Sequence, residues 1–400
     1  MKKKDRYISS FTFCYLDLSN LKGAALFLLL LISFLILGSS CEMDRDFSSE
    51  FPSRAILGSG SYEGPYWPTQ QWKSCTPEEV GMDSKLLRMM NEDMVLQKRL
   101  HIDVHSVHVI RKGYLVAEQY YSPEFGADSL HYIYSCTKSV TSAAFGIAKE
   151  KGFMPSLDTP LLDFFPEYNV KNPYGKDQIT LKHALTLSDG FEWYELQYPY
   201  GDDRNTFTQW RQSGGSIEYV LDLPMKELPG SNFNYNSGVS HLLSVVIQKQ
   251  TGIRMDSFVR QELFTPLGIT DYSWTINQDG AAKGYAGLYL RPHDLAKFGL
   301  LYLNNGTWED KQLIPESWVR ESTDKHILRG DIPGFYYGYQ WWVHESGLYA
   351  AVGFGGQLLI VDPEYDLVVV FTNYHNETDW FQQNTPWRLL ETFIIPAIIN

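Results

Sequence analysis

Ser135 and Lys138 stand three residues apart in Tyr134-Ser135-Cys136-Thr137-Lys138-Ser139-Val140, at the head of an apolar run over 140–148. In a helix, positions i and i+3 share a face, so this spacing brings the lysine amine beside the serine hydroxyl. A serine hydroxyl is a weak nucleophile until a neighbouring group takes its proton. Lysine can do so only when burial or a nearby charge lowers its pKa from about 10.4 towards neutrality. A helix N-terminus adds unpaired N–H groups and partial positive charge, which favour an oxyanion. Alone, the pair reads as a solvated helix start. Two further stretches change that reading.

One is Gly230-Ser231-Asn232-Phe233-Asn234-Tyr235-Asn236-Ser237-Gly238, a turn-rich loop feeding a helix over 238–252. The other is Val352-Gly353-Phe354-Gly355-Gly356-Gln357, between two β-rich runs. In isolation Tyr235 reads as a packed tyrosine, and the glycines as a bulge or tight strand turn. Taken in order, the three stretches resemble the serine β-lactamase and penicillin-binding superfamily. Its marks are Ser-x-x-Lys, then Tyr-x-Asn or Ser-Asp-Asn, then Lys-Thr-Gly or His-x-Gly. The resemblance spans 76–400 and includes phrases such as Gly338-Tyr339-Gln340-Trp341-Trp342. It is nearest to the esterase-like branch that contains 6-aminohexanoate-dimer hydrolases.

The resemblance implies Ser135 as nucleophile, Lys138 as its proton acceptor and Tyr235 as partner in proton transfer, with no cofactor and no metal. It implies an oxyanion hole from the N–H of Ser135 and one near Gly355 and Gly356, where missing side chains let substrate approach the backbone. Two departures stand out. Ser237 occupies the place of the family's usual Asn, and no Lys or His stands in 352–357 to hold a substrate carboxylate. The second departure weakens a β-lactam or peptidoglycan assignment. Asp189, in Ser188-Asp189-Gly190, reads as a helix C-cap, with a position bordering the cleft as the functional alternative. Trp193 and Trp341 are candidates to line a substrate pocket, with core packing as the plainer alternative.

The expected activity is that of a serine hydrolase working through an acyl-enzyme on short-chain esters or small linear amides. A β-lactamase or D-amino-acid peptidase is the rival within the class. A non-catalytic module holding a peptide or cell-wall fragment is the rival outside it. A binding module has no need to keep Ser135, Lys138 and Tyr235 together.

Composition sets outer bounds. The 400 residues include 11 Trp, 26 Tyr and 22 Phe, which suits a globular body with an aromatic-lined cleft. A formal charge of −13 argues against a nucleic-acid partner, since phosphate binding needs a basic footprint. His101, His105 and His108 are close in sequence, but 105 and 108 fall on opposite faces of a strand, so no metal site is expected there.

Several elements must position the motifs. A helix is predicted over 83–97, with Leu86, Leu87, Met90 and Met94 on one stripe, then a hairpin of 104–110 with 114–121. An amphipathic helix is predicted over 179–190, and another over 295–303 with Asp294 as N-cap. Strands follow over 337–343, 348–352, 357–361 and 367–372, and a closing helix over 380–399. Strands at both ends with helices between them predict an α+β fold. Its antiparallel sheet is built from N- and C-terminal strands, flanked by helices, with an inserted, mostly helical lobe.

The chain begins Met1-Lys2-Lys3-Lys4, turns apolar over 25–37 and reaches Gly38-Ser39-Ser40-Cys41. That pattern predicts a secretory signal of lipoprotein type over 1–41, too short to span a membrane comfortably. Lipid attachment at Cys41 would place the protein at the cell envelope, on the periplasmic side. A flexible tether is expected over 42–75 and the hydrolase domain over 76–400. Cys75 and Cys136 remain in the mature body; a disulfide between them stays open, although the place of Cys136 beside the nucleophile favours a buried thiol.

Overall fold

The computed structural model describes residues 56–99, 104–330, 332–374 and 380–399. Among them, one antiparallel sheet holds nine strands. These are β1 (Ile56–Leu57), β2 (Val104–Arg111), β3 (Tyr114–Tyr120), β4 (Ile327–Leu328) and β5 (Phe335–Tyr337). The rest are β6 (Trp342–His344), β7 (Tyr349–Gly353), β8 (Gln357–Asp362) and β9 (Leu367–Asn373). Their order across the sheet is β1-β3-β2-β9-β8-β7-β6-β5-β4. Strand β2 pairs with β9, with Val109 opposite Val369, so the two ends of the folded chain close one sheet.

The sequence of β9 is apolar without alternation, which marks a strand covered on both faces. Val368 and Val370 join one core, while Leu367, Val369 and Phe371 join the other. The second core is completed by Leu87, Met90 and Met94 of α1 (Ser84–Arg99) and by Leu389, Leu390 and Ile394 near the C-terminus. The first core carries α2 (Thr137–Glu150), α3 (Ser237–Thr251) and α4 (Pro292–Leu303). Helix α2 is buried from Thr137 to Ala148 on every side, so it runs through the core. Burying each such Val or Leu side chain contributes roughly 1.5–3 kcal/mol before entropy is counted.

Three expectations need correction. Residues 56–75, read as tether, lie against the body. Ile56 pairs with Glu118, Leu115 N donates to Lys73 O, and the Trp67 and Trp308 rings lie 5.0 Å apart. The helix expected over 179–190 is only Leu181–Leu185, capped by Thr180. Leu187 takes a left-handed φ of 51° and the backbone then bonds the loop before Tyr235: Asn234 N reaches Leu187 O, and Gly230 N reaches Ser188 O. Helix α4 starts after Arg291, not Asp294, because Pro292 takes the first helical position; Asp294 instead pairs with Lys297 at 3.2 Å. Cys75 and Cys136 are free, buried thiols, the reading that the place of Cys136 beside the nucleophile favoured. The closing helix runs over α5 (Trp380–Leu389) and widens to π geometry over Leu390–Ile394. The proposed signal and Cys41 lie outside the described residues, and among those described no helix is long and apolar enough to cross a membrane.

Candidate active site

Ser135 sits on a 3-10 turn, Tyr134–Cys136, that leads directly into α2. Tyr134 holds a φ of 47°, a left-handed conformation that costs a non-glycine residue about 1 kcal/mol or more. The turn lifts Ser135 to the floor of a cleft of about 450 Å³ while Cys136 and Thr137 go inward. Strand β7 clamps it from behind. A Cβ on Gly353 would stand 2.4 Å from the Ile133 carbonyl oxygen, so only glycine lets the strand come this close.

Lys138 lies one turn along α2 and is 1 % exposed. Its Nζ reaches Ser135 Oγ at 3.1 Å, Ser237 Oγ at 3.0 Å and the Tyr285 carbonyl at 3.0 Å. Burial lowers its pKa to about 8, partly opposed by the carboxylate of Glu195. The amine is therefore within range of a base near neutral pH. Tyr235 comes from the loop ahead of α3 and lines the cleft with Ser135, its ring 4.6 Å from the lysine nitrogen. Burial pushes its phenol pKa well above normal, so it stays a protonated donor. Asn236 caps α3 by accepting from Val239 N at 3.1 Å, which fixes Tyr235 and Ser237 on either side of it.

Gly355 and Gly356 line the cleft with φ of 74° and 85°, values that favour glycine at both positions. Asn373 Nδ2 donates to the Gly356 carbonyl, and Asn373 N donates to Gln357 Oε1 at 3.2 Å, so β9 pins this loop. Phe354 meets the rings of Tyr134 and Tyr200 edge to face at 5.4 and 5.5 Å. A site of this form can activate a serine, hold an oxyanion and hand a proton to a leaving group.

A family model described as Beta-lactamase matches residues 93–391. The chain belongs to the β-lactamase family. It is 23 % identical over 313 residues to the 6-aminohexanoate-dimer hydrolase of Paenarthrobacter ureafaciens, covering 74 % of this chain and 78 % of that one. In fold it is similar to EstCE1, a hydrolase with promiscuous acyltransferase activity (TM-score 0.65, 15 % identity, 79 % of this chain and 99 % of that). It is also similar to the octameric penicillin-binding protein homologue from Pyrococcus abyssi (TM-score 0.58, 19 % identity, 79 % of each chain). The protein is thus a hydrolase of the β-lactamase-related serine type, and the α+β architecture is that of the family.

The other candidates in this β-lactamase-family site divide. Ser237 is brought in, bonded to Lys138. Asp189 is neither a helix C-cap nor part of the cleft wall. It is fully buried, accepting from Phe191 N at 3.0 Å and Asn236 Nδ2 at 3.3 Å, with its pKa raised to about 7 by burial. Trp193 and Trp341 are core residues, both 0 % exposed. Trp341 stacks on Phe298, and its neighbour Trp342 takes the place in the cleft wall. The two follow each other across the start of β6, where successive side chains point opposite ways.

Glu195 is the residue that sequence reasoning missed. It is 2 % exposed, lines the cleft, and accepts from Ser237 Oγ at 2.7 Å, Ser237 N at 2.9 Å, Trp193 Nε1 at 2.9 Å and Tyr200 Oη at 3.1 Å. Its only signal was a carboxylate set among the aromatics of 191–200. Of the clustered histidines, His105 faces His131 at 2.8 Å, His108 meets Glu118 and His293, and His101 lies outside the described residues.

Proposed function

We propose that this protein hydrolyses short-chain esters or small linear amides through an acyl-enzyme on Ser135. The observation that carries the reading is a buried Lys138 amine, its pKa lowered to about 8, at 3.1 Å from the Ser135 hydroxyl. In the first half-reaction Lys138 takes the Ser135 proton as Oγ attacks the carbonyl carbon. The oxyanion forms beside the N–H groups of Ser135 and of the Gly355–Gly356 segment. Tyr235 gives its proton to the leaving alcohol or amine and recovers one from Lys138. Water then attacks the ester on Ser135 by the reverse relay, releasing the acid and restoring the serine.

The lining of the cleft supports this substrate class. Tyr235, Trp342, Phe354 and Trp387 supply apolar wall, and no cation stands in 352–357 to hold the carboxylate of a penicillin. Turnover of p-nitrophenyl acetate and butyrate should exceed that of nitrocefin by at least about tenfold in kcat/KM, or roughly 1.4 kcal/mol. Mass spectrometry of the intact protein after such an ester should find an acyl group, absent from Ser135→Ala. Equal rates on nitrocefin would favour the β-lactamase reading, and an inert wild-type protein the binding module.

The same proposal places the protein at the cell envelope, on the periplasmic side, held to a membrane through a lipid on Cys41. Its support is the apolar run over 25–37 followed by Gly38-Ser39-Ser40-Cys41. Mass analysis of the native N-terminus tests it, and a mature chain that starts anywhere but Cys41 rejects it.

A further inference from the structure

His108 on β2 and Glu118 on β3 are directly opposed in the ladder, so their side chains leave the same face of the sheet. The first turn of α4 lays His293 over them. His293 Nε2 stands 2.9 Å and His108 Nε2 3.6 Å from Glu118 Oε1. The three donor atoms all lie within 4.8 Å of one another. Tyr120 Oη donates to the same carboxylate oxygen at 2.6 Å and lies 3.0 Å from His108 Nε2. None of these residues lines the Ser135 cleft.

Two imidazole nitrogens and one carboxylate oxygen are a ligand set for a zinc-class ion. Tetrahedral zinc, with ligands at about 2.0–2.2 Å, spaces its donor atoms by ~3.3 Å, close to the distances from each imidazole nitrogen to the Glu118 oxygen. The charge balance points the same way. Among the described residues no lysine or arginine pairs with Glu118, whose side chain is 18 % exposed; its ion-pair partners are the two imidazoles. A largely buried carboxylate needs a compensating positive charge. His108 is completely buried, which favours the neutral ring a metal requires, and its Nδ1 has no hydrogen-bond partner. Its side-chain polar contacts therefore run through Nε2, towards Tyr120 and Glu118. A cavity of about 500 Å³ reaches Glu118 and His293 past Trp72, Asp128 and Arg291 and gives an ion a way in.

We propose that His108, Glu118 and His293 form a binding site for one zinc-class divalent cation, separate from the hydrolytic centre, that ties the β2–β3 hairpin to the start of α4. Water or the Tyr120 hydroxyl completes the coordination. The site is structural: the cavity that reaches it and the Ser135 cleft have no lining residue in common, and the ion stabilises the sheet by binding the folded chain alone.

The test uses the full chain, purified without a polyhistidine tag and stripped with a chelator. Calorimetric titration with Zn²⁺ should find one ion per chain at micromolar Kd or tighter, with a rise in Tm. Co²⁺ should give the visible absorption of a tetrahedral centre. Glu118→Gln, which keeps shape and removes charge, and His293→Ala should each weaken binding by at least about tenfold. Circular dichroism of the metal-free variants reports folding, and if His293→Ala unfolds, Glu118→Gln with the wild-type Tm shift decides. Absence of saturable binding, or binding unchanged in Glu118→Gln, would mean a polar cluster that holds no ion, and would overturn the proposal.

Discussion

The carboxylate of Glu195 accepts a 2.7 Å hydrogen bond from the Ser237 hydroxyl, the same hydroxyl that lies 3.0 Å from Lys138 Nζ. Ser237 thus connects a buried anion to a buried amine. The anion favours the charged form of the lysine, while burial favours the neutral form and prevails. Under the proposed mechanism, the reactivity of Ser135 depends on that contest.

The first expectation concerns pH. Attack requires neutral Lys138, which becomes abundant as pH rises through about 8. Log kcat/KM should therefore climb on the acid side by about one per pH unit and level off above this value. Glu195→Gln removes the opposing charge, so Lys138 loses its proton more readily and the limb should move to lower pH by roughly half a unit or more. Activity should also fall by about tenfold, since Ser237 and Tyr200 lose their anionic acceptor. A lowered rate with an unmoved limb would reduce Glu195 to a packing role.

Ser135, Lys138 and Tyr235 should behave as one unit. Ser135→Ala should lose on the order of 10³-fold or more in kcat, and Lys138→Ala about as much. Lys138→Arg should not recover activity, because arginine stays protonated at any working pH. Tyr235→Phe should be milder, and adding it to Ser135→Ala should cost almost nothing further. Tm should stay within a few degrees for Ser135→Ala and Tyr235→Phe. A folded Ser135→Ala protein that retained most of its esterase activity would end the mechanism.

Gly353→Ala places a methyl group 2.4 Å from a backbone oxygen that cannot yield without moving the Tyr134 turn. Denaturant unfolding should show a loss of about 1–3 kcal/mol, the usual cost of overpacking. Hydrolysis should fall as well, because the shifted atoms carry Ser135. A variant as stable and active as wild type would show that β7 has room to retreat.

Asp189 should give the protein a pH-dependent weakness. Its folded pKa, about 7, stands above the ordinary 3.8, so the folded state binds more protons between these values. Stability from this group is full below about pH 4 and is lost as pH rises through 7. Asp189→Asn keeps an oxygen for Phe191 N and Asn236 Nδ2 and removes the buried charge. Its Tm should exceed that of wild type by a margin that grows across this window. A margin constant with pH would mean that Asp189 does not titrate there.

Local pattern was enough for the parts of this molecule that local forces decide. The i, i+3 spacing set Lys138 beside Ser135 because helix geometry allows little else, and the unbroken apolar sequence of 367–371 specified a strand buried on both faces. The strands of 104–120 and 337–373, separated by helices, gave the sheet its two sources. Long-range packing decided the rest. Trp341 and Trp342 are chemically alike, and only the register of β6 against β7 determines which one meets the cleft. Residues 179–190 carry a helical pattern, but the backbone at Leu187 and Ser188 bonds the loop ahead of Tyr235. Glu195 is brought to Ser237 across 42 residues of chain, and His293 to Glu118 across a sheet and a helix terminus. A carboxylate's partners depend on which distant atoms share its low-dielectric surroundings, and no local spacing encodes them.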